Sequence, residues 1–476
     1  DVMLFYGGYV MIETKEAKLT SLIEQAIEQA TFRDRKQIIS ITEQIDQIDP
    51  IHFFYAAKHL NKNRTFWSNH TRDFFIVGIG HALEMTATHR RFESIEEQWQ
   101  QLLDEAIIHN PYPAIGTGLL TFGGMSFDPK KEKHSLWKKF APMKMVVPEW
   151  TLVHHNGNCF LTATIAVNQS DRAEDIAQVL DHQKELLLSV KKIEESAPRI
   201  VDKQEIAPKQ WLTSVQKAIE YIQANKAKKI VMAREMRLQL DRPAPIAYLL
   251  QQLLATQDNS YIFAFEEGDN CFLGATPERL IKIEDHQLLS TCMAGTAPRG
   301  TTKTEDEQLA NELLKDEKNL EEHLYVVEMI RGILEQYCTN IQIPEHPIVY
   351  PLKNLQHLYT PVIANLNEDA RIFKIIEELH PTPALGGVPR DESLRFIREH
   401  ELLDRGWYGA PIGWLDSQRN GEFAVAIRSG LIQHDQASLF AGCGIMKDSD
   451  PAKEYEETAI KFLPMLSVFG GNHAGE

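Results

Sequence analysis

Cysteine is scarce in this chain. The five thiols, Cys159, Cys271, Cys292, Cys338 and Cys443, are odd in number, widely spaced and never form a CxxC pair. This excludes a disulfide framework and a thiolate zinc site, and it fits a reducing cytoplasm. Long apolar runs are missing too. No stretch approaches the ~18 consecutive apolar residues of a membrane span, so a soluble protein with no membrane partner is expected. Positive charge is in deficit: 50 Lys and Arg stand against 67 Asp and Glu, for a net charge of −17. No basic surplus is available to neutralise phosphates, which argues against nucleic acid or an anionic membrane as partner. A small anionic substrate is compatible only if cations gather locally. Internal repeats and low-complexity segments are absent, and no heptad pattern stands out, so a monomer is expected.

What is present is enough chain, 476 residues, for one large domain or two to three ordinary ones. Residues 1–10 lack a basic n-region and read as an upstream extension, with Met11 the natural start. Residues 13–30 read as an amphipathic helix. The stretches 35–45, 51–59 and 73–85 read as strands, 94–107 as a helix, 116–129 as a strand, and 145–167 as a hairpin turning at Asn156-Gly157. His154 and His155 are adjacent, so a strand sends them to opposite faces. Gly78-Ile79-Gly80 lacks the third glycine and the βαβ context of a dinucleotide site. Residues 171–203 read as a charged helix ending near Pro198. A seam there divides an N-terminal half (11–204) from a denser region (205–470). In the latter, 208–225 is expected to be a helix with Trp211, Val215, Ile219 and Ile222 on one stripe. Strands are expected at 228–240, 261–267, 271–285, 287–300, 406–416, 422–432 and 437–445. Residues 304–337 read as one long helix or two, and 379–390 as a structured loop. Consecutive strands without βα alternation indicate antiparallel sheets with helices outside, an α+β fold.

The chemistry centres on "AGCGIMKDSDPAKEYEETAIKF", residues 441–462. Gly442 and Gly444 let backbone N–H groups approach a ligand. Asp450 is an N-cap and Pro451 opens a helix. On that helix Glu454, Glu457 and Lys461 share one face. The arrangement suits a divalent metal beside an anionic ligand; the plainer reading is a solvated acidic helix with a Glu–Lys pair. Lys229, beside Lys226 and Lys228, is a candidate general base or else part of a basic strand edge. Glu278 is a candidate proton donor or the partner of Arg279. Glu321 and Glu322 lie about 100° apart on a helix, so only one can readily enter a shared site. A glutamate from there with Glu457 would make an oxygen-rich site suited to Mg²⁺. His323 reads as a packing residue. Arg428, inside an apolar strand, is either in a structural ion pair or, with Lys461, an anion clamp.

The ordered motifs "KKIVMAR", "FLGATPERL", "AGTAPRG", "EEHLYVV", "LQHLYT", "LHPTPALGG", "RGWYGAPIGW", "AIRSG" and "AGCGI…DPAKEYEET" together resemble the chorismate-utilising enzymes, over about residues 208–465. The first 200 residues match only loosely. The resemblance implies a sandwich of two antiparallel sheets enclosing the site, with the two halves of the chain intertwined in one domain. By motif, Lys229 would activate a water and Glu278 would protonate a departing hydroxyl. Glu322 and Glu457, with Glu454 close by, would bind Mg²⁺. Arg428, Tyr408 and Lys461, with the backbone at Gly295, Gly442 and Gly444, would hold the carboxylates of chorismate, and Thr296 and His357 would line the pocket. Ammonia-using relatives usually carry glutamine at the position of Lys229, and one type carries lysine at that of Ala294. The inhibitor-binding "LLES" signature is absent. Salicylate-forming relatives tend to have threonine where this chain has Ala384. The expected activity is therefore conversion of chorismate to isochorismate, toward menaquinone, with salicylate formation or a siderophore pathway as alternatives. A ligand-binding relative without catalysis would need a broken base, acid or metal set, and none is broken here.

Overall fold

Prolines and glycines shape this fold by marking where strands leave one sheet for another. The computed structural model describes residues 3–6, 9–12, 15–132, 135–189, 192–193, 195–352 and 355–470, with side chains from residue 19. Residues 1–2 and 7–8 of the expected extension, and 13–14 at the start of the first expected helix, lie outside the described residues.

Two large sheets form the frame, of 13 and 10 strands. In the larger, Tyr261–Glu267 pairs with Arg64–Ser68, joining late and early chain. In the smaller, Pro411–Asp416 pairs with Leu120–Met125 in the same way. Their ladders are antiparallel except where Gln37–Ile45 meets Ile107–His109. An apolar layer rich in aromatic rings fills the space between the sheets, with Trp67, Phe263 and Phe272 from the larger and Phe122 and Trp414 from the smaller. Helices cover the outer faces. Pro50–Ala56, Ala173–Leu188, Ile246–Thr256 and Pro451–Val468 pack on the larger sheet. Arg91–Glu105, Glu317–Tyr337 and Ile372–Leu379 pack on the smaller. This is the expected α+β architecture. Among the described residues no helix is long and apolar enough to cross a membrane, and all five cysteines are buried and free.

Several expectations change in an informative way. Residues 51–59 are not a strand. Asp49 caps a helix by accepting the N–H groups of Ile51 and His52, and Pro50 fixes the first turn. The segment is apolar on most sides because it is buried, which hides the helical period. The 73–85 strand is two, Phe74–Ile79 in the larger sheet and Leu83–Thr86 in the smaller, divided at Gly80 with φ +69°. The Asn156-Gly157 hairpin is real, with His155 opposite Asn158. The preceding Met143–Val147 belongs to the other sheet, past Pro148. The helix expected over 171–203 stops at Leu188, and Ile200–Glu205 is a strand. Residues 304–337 form two helices, Lys303–Leu313 and Glu317–Tyr337.

Trp407 sits at the centre of the inter-sheet layer. Its ring lies 5.0 Å from Phe265 and 5.1 Å from Phe140, and its indole N–H donates to the Ala141 carbonyl at 2.9 Å. Trp407→Ala is expected to cost about 3–5 kcal/mol of stability, read by urea denaturation; a loss below about 1 kcal/mol would show that the layer re-packs around the gap.

Candidate active site

Two sheet-to-sheet crossings run side by side through the middle of the molecule. One strand ends at Thr276 in the larger sheet and the next starts at Arg279 in the smaller, with Pro277 and Glu278 between. In return, a strand ends at Val425 in the smaller sheet and another starts at Ser429 in the larger, with Arg428 in the link. The single strands expected over 271–285 and 422–432 are therefore each broken at a candidate site residue. Arg428 is not inside a strand; it takes φ +51°, a conformation that disfavours a side chain by about 1–2 kcal/mol. The crossings are tied to each other. Ala275 N–H donates to the Arg428 carbonyl at 3.0 Å, and Val425 N–H donates to the Glu278 carbonyl at 2.9 Å. The Thr276 hydroxyl donates to the Val425 carbonyl at 2.6 Å.

These crossings face a cavity of about 190 Å³. Glu278, Gly295, Thr296, Glu322, His357, Ala384, Tyr408, Arg428, Gly442, Gly444, Glu454, Glu457 and Lys461 all line it. Lys229 lies just behind the wall, fully buried, with its amine paired to Glu322. Its sequence neighbours do not set its surroundings: Lys228 lies over the Tyr325 ring and Lys226 over Tyr221. Glu278 does not pair with Arg279, which bonds Glu422 instead. Burial pushes the Glu278 carboxyl up to about 8, although Lys229, Arg428 and Lys461 pull the other way. At neutral pH this carboxyl therefore keeps its proton. Burial also raises the Tyr408 phenol and lowers the Arg428 guanidinium.

Of the adjacent helix glutamates, Glu322 enters the cavity, whereas Glu321 accepts from Tyr325 outside it. His323 is buried packing, with Nε2 2.7 Å from the Thr360 hydroxyl. The Pro451–Val468 helix forms as its capping residues require, Asp450 accepting the N–H groups of Ala452 and Lys453. Its Lys461 amine donates to Glu457 at 2.6 Å and to the Gly442 carbonyl at 2.9 Å. Burial works to raise Glu457, but Lys461 outweighs it and holds the carboxyl below its usual range. Glu454 is raised, first by burial and then by Glu457. A cation beside these carboxylates would offset the burial and repulsion that raise Glu454. The donors are all hard oxygens, and among the described residues no group of three or more His, Cys, Asp or Glu is placed to hold a metal unaided. Mg²⁺ takes one or two carboxylates and completes its shell with water and ligand oxygens, so this set fits Mg²⁺ shared with an anionic ligand.

The opposite wall is a bulged strand. Gly295 takes φ +82° where the register of Gln287–Pro298 shifts. Thr296 N–H donates to the Asn319 side chain at 3.0 Å. His357 Nδ1 lies 3.2 Å from the Gly295 carbonyl, which places the proton there and leaves Nε2 a buried acceptor without a protein partner. Burial, then Arg428, lowers this imidazole to about 3, so it is neutral. Sequence reasoning missed Lys318 and Asn319 on this wall, although they lie a turn before Glu322. It also missed Arg405, buried against Glu401 and bonded to the carbonyls of Leu385 and Val231.

Residues 25–470 match the family model described as chorismate binding enzyme. The chain belongs to the chorismate binding enzymes. It is 40% identical to isochorismate synthase MenF of Bacillus subtilis, over 97% of this chain and 99% of that one. It is 34% identical to the salicylate biosynthesis isochorismate synthase of Pseudomonas aeruginosa, over 95% of each. The solved structure of the menaquinone-specific isochorismate synthase MenF of Escherichia coli shares the fold, at TM-score 0.77 and 24% identity, over 94% of this chain and 99% of that one. The span matched to the chorismate binding enzymes contains every candidate residue from Lys229 to Lys461.

A Cβ at Gly444 would stand 2.6 Å from Lys229 Cε and 3.2 Å from Glu322 Oε1. Gly444→Ala is therefore expected to part the Lys229–Glu322 pair beyond ~3.5 Å in a crystal structure, with the sheets unmoved. An intact pair would show that the wall yields instead.

Proposed function

We propose that the chain is an isochorismate synthase that converts chorismate to isochorismate, the first step toward menaquinone. The observation that carries this reading is one cavity lined by a buried carboxyl, Glu278, with a buried lysine, Lys229, behind its wall and the cations Arg428 and Lys461 for a dianion. Lys229 takes a proton from the attacking water as the oxygen bonds to ring carbon C2. Both ring double bonds shift, from C1=C2 and C5=C6 to C1=C6 and C4=C5, and the C4–O bond breaks. Glu278 gives its proton to the departing hydroxyl, which leaves as water. The proton on Lys229 and the vacancy on Glu278 then equalise through solvent. Arg428, Tyr408 and Lys461 hold the carboxylates, helped by backbone at Gly295, Gly442 and Gly444. Thr296 and His357 complete the wall. Glu322 and Glu457, with Glu454, would hold Mg²⁺, which supplies positive charge against the substrate's carboxylate and offsets the chain's acidity. Ala384 leaves the cavity without a further hydroxyl, which favours release of isochorismate over onward elimination. A cytoplasmic monomer is the setting we infer, in keeping with five free thiols.

Chromatography of products from chorismate is expected to show isochorismate with Mg²⁺ and none after chelation. Salicylate and pyruvate would make the chain a salicylate synthase, and no product would make it a binding protein. Lys229→Ala should lower kcat by about 10²–10⁴-fold, the range for loss of a general base; unchanged turnover would remove Lys229 from the mechanism. Glu278 acts while protonated, so kcat should fall as pH rises through about 8. Glu278→Gln should abolish that limb along with most of the activity; a limb retained in this variant would belong to another group.

A further inference from the structure

Arg279, next to Glu278, faces away from the cavity into a small recess shared with Tyr261, Thr291 and Tyr359. There its Nε donates to Glu422 Oε1 at 3.0 Å, and the Tyr261 hydroxyl donates to the same oxygen at 2.8 Å. The ion pair is almost dry, with side-chain exposures of 9% and 3%. Glu422 lies on the smaller sheet and Tyr261 on the larger, so these contacts tie both sheets to the crossing that carries Glu278. The backbone bond from Val425 holds the Glu278 carbonyl, but the ladder beyond it is irregular. The register of Arg279–Glu284 against Gly421–Val425 shifts between Arg279 and Ile281. The Glu278 N–H has only a 3.2 Å bond to the Thr276 hydroxyl. On the far side the Thr291 hydroxyl donates to the Arg279 carbonyl at 2.9 Å. A buried ion pair is a poor source of net stability, because desolvation offsets the attraction, and its best-supported use is to fix one arrangement among several.

We infer that the Tyr261–Glu422–Arg279 tie is a positioning unit for Glu278: it sets where the crossing lies between the sheets and so holds the carboxyl in its water-poor site. The charged groups nearest Glu278 on the surrounding elements are Lys229, Arg428 and Lys461, with the Cys292 thiol behind. Glu322 and Glu457 share the cavity. The hydrogen bonds of the tie reach none of these, so loosening it alters the placement of Glu278 more than the charges around it. Tyr261→Phe changes no charge at all. The catalytic consequence rests on the reading of Glu278 as the acid; the effect on the carboxyl itself does not.

The test reads Glu278 directly. In infrared spectra of the whole protein, the carbonyl band of the protonated carboxyl is the one that Glu278→Gln removes, and in the parent protein it should vanish with a midpoint of about 8. In Tyr261→Phe and Glu422→Gln the midpoint is expected to drop by about 0.5–1 unit as water reaches the carboxyl. With chorismate, kcat should fall about fivefold or more while KM stays within about twofold. Glu422→Gln strands a buried arginine and can fail to fold; Tyr261→Phe keeps the ion pair and decides the matter alone. A lower melting temperature with the band midpoint and kcat unmoved would reduce the tie to a structural role and overturn the inference. A shifted midpoint in a protein that makes no isochorismate would uphold the positioning role and defeat the functional reading instead.

Discussion

The site depends on backbone hydrogen bonds between two neighbouring sheet-to-sheet crossings. Ala275 N–H to the Arg428 carbonyl and Val425 N–H to the Glu278 carbonyl bind the crossings into one ribbon between the sheets. Each such bond contributes only about 1 kcal/mol net, but leaving its groups unpaired in the interior would cost more. The crossings therefore have one satisfied arrangement, and in it Glu278 and Arg428 both lie on the cavity wall. The left-handed backbone at Arg428 is sustained by that packing. Glu454, Glu457 and Lys461 come from a helix that the last strand of the larger sheet delivers to the same place.

The electrostatics follow from dryness. A chain with net charge −17 is an unfavourable host for a dianion in general, so attraction has to be local. The cavity gathers Arg428 and Lys461, and keeps the groups that need not be charged neutral. Burial holds Glu278 protonated and His357 unprotonated. The acidic face made by Glu454 and Glu457 is the exception: burial and mutual repulsion raise Glu454, a tension that a hard cation relieves. On the proposed mechanism, proton donor and metal carboxylates are the same residue type, separated in role by surroundings.

Much of this was legible in the chain because it obeys local rules. The Asp450-Pro451 cap, the shared face of Glu454, Glu457 and Lys461, and the Asn156-Gly157 turn depend on residues a few positions apart. The crossings were not legible. A strand passing from one buried sheet to another keeps its apolar character, so 271–285 and 422–432 read as single strands. The breaks at Pro277 and Arg428 appear only when the sheets are seen. The partners of charged groups were hidden for a related reason. Lys229 pairs with Glu322 and Arg279 with Glu422, at separations of 93 and 143 residues, while sequence neighbours pointed to Lys228 and Glu278. The residues 51–59 misled because a helix buried on most sides loses its period.

In the proposed mechanism a solvent water, not the substrate's own hydroxyl, supplies the new oxygen. Turnover of chorismate in ¹⁸O-labelled water, followed by mass spectrometry of the isochorismate, tests this most directly. One labelled oxygen is expected, in the hydroxyl at C2. Unlabelled isochorismate would mean that the hydroxyl migrates within the substrate, and the roles given to Lys229 and Glu278 would have to be abandoned.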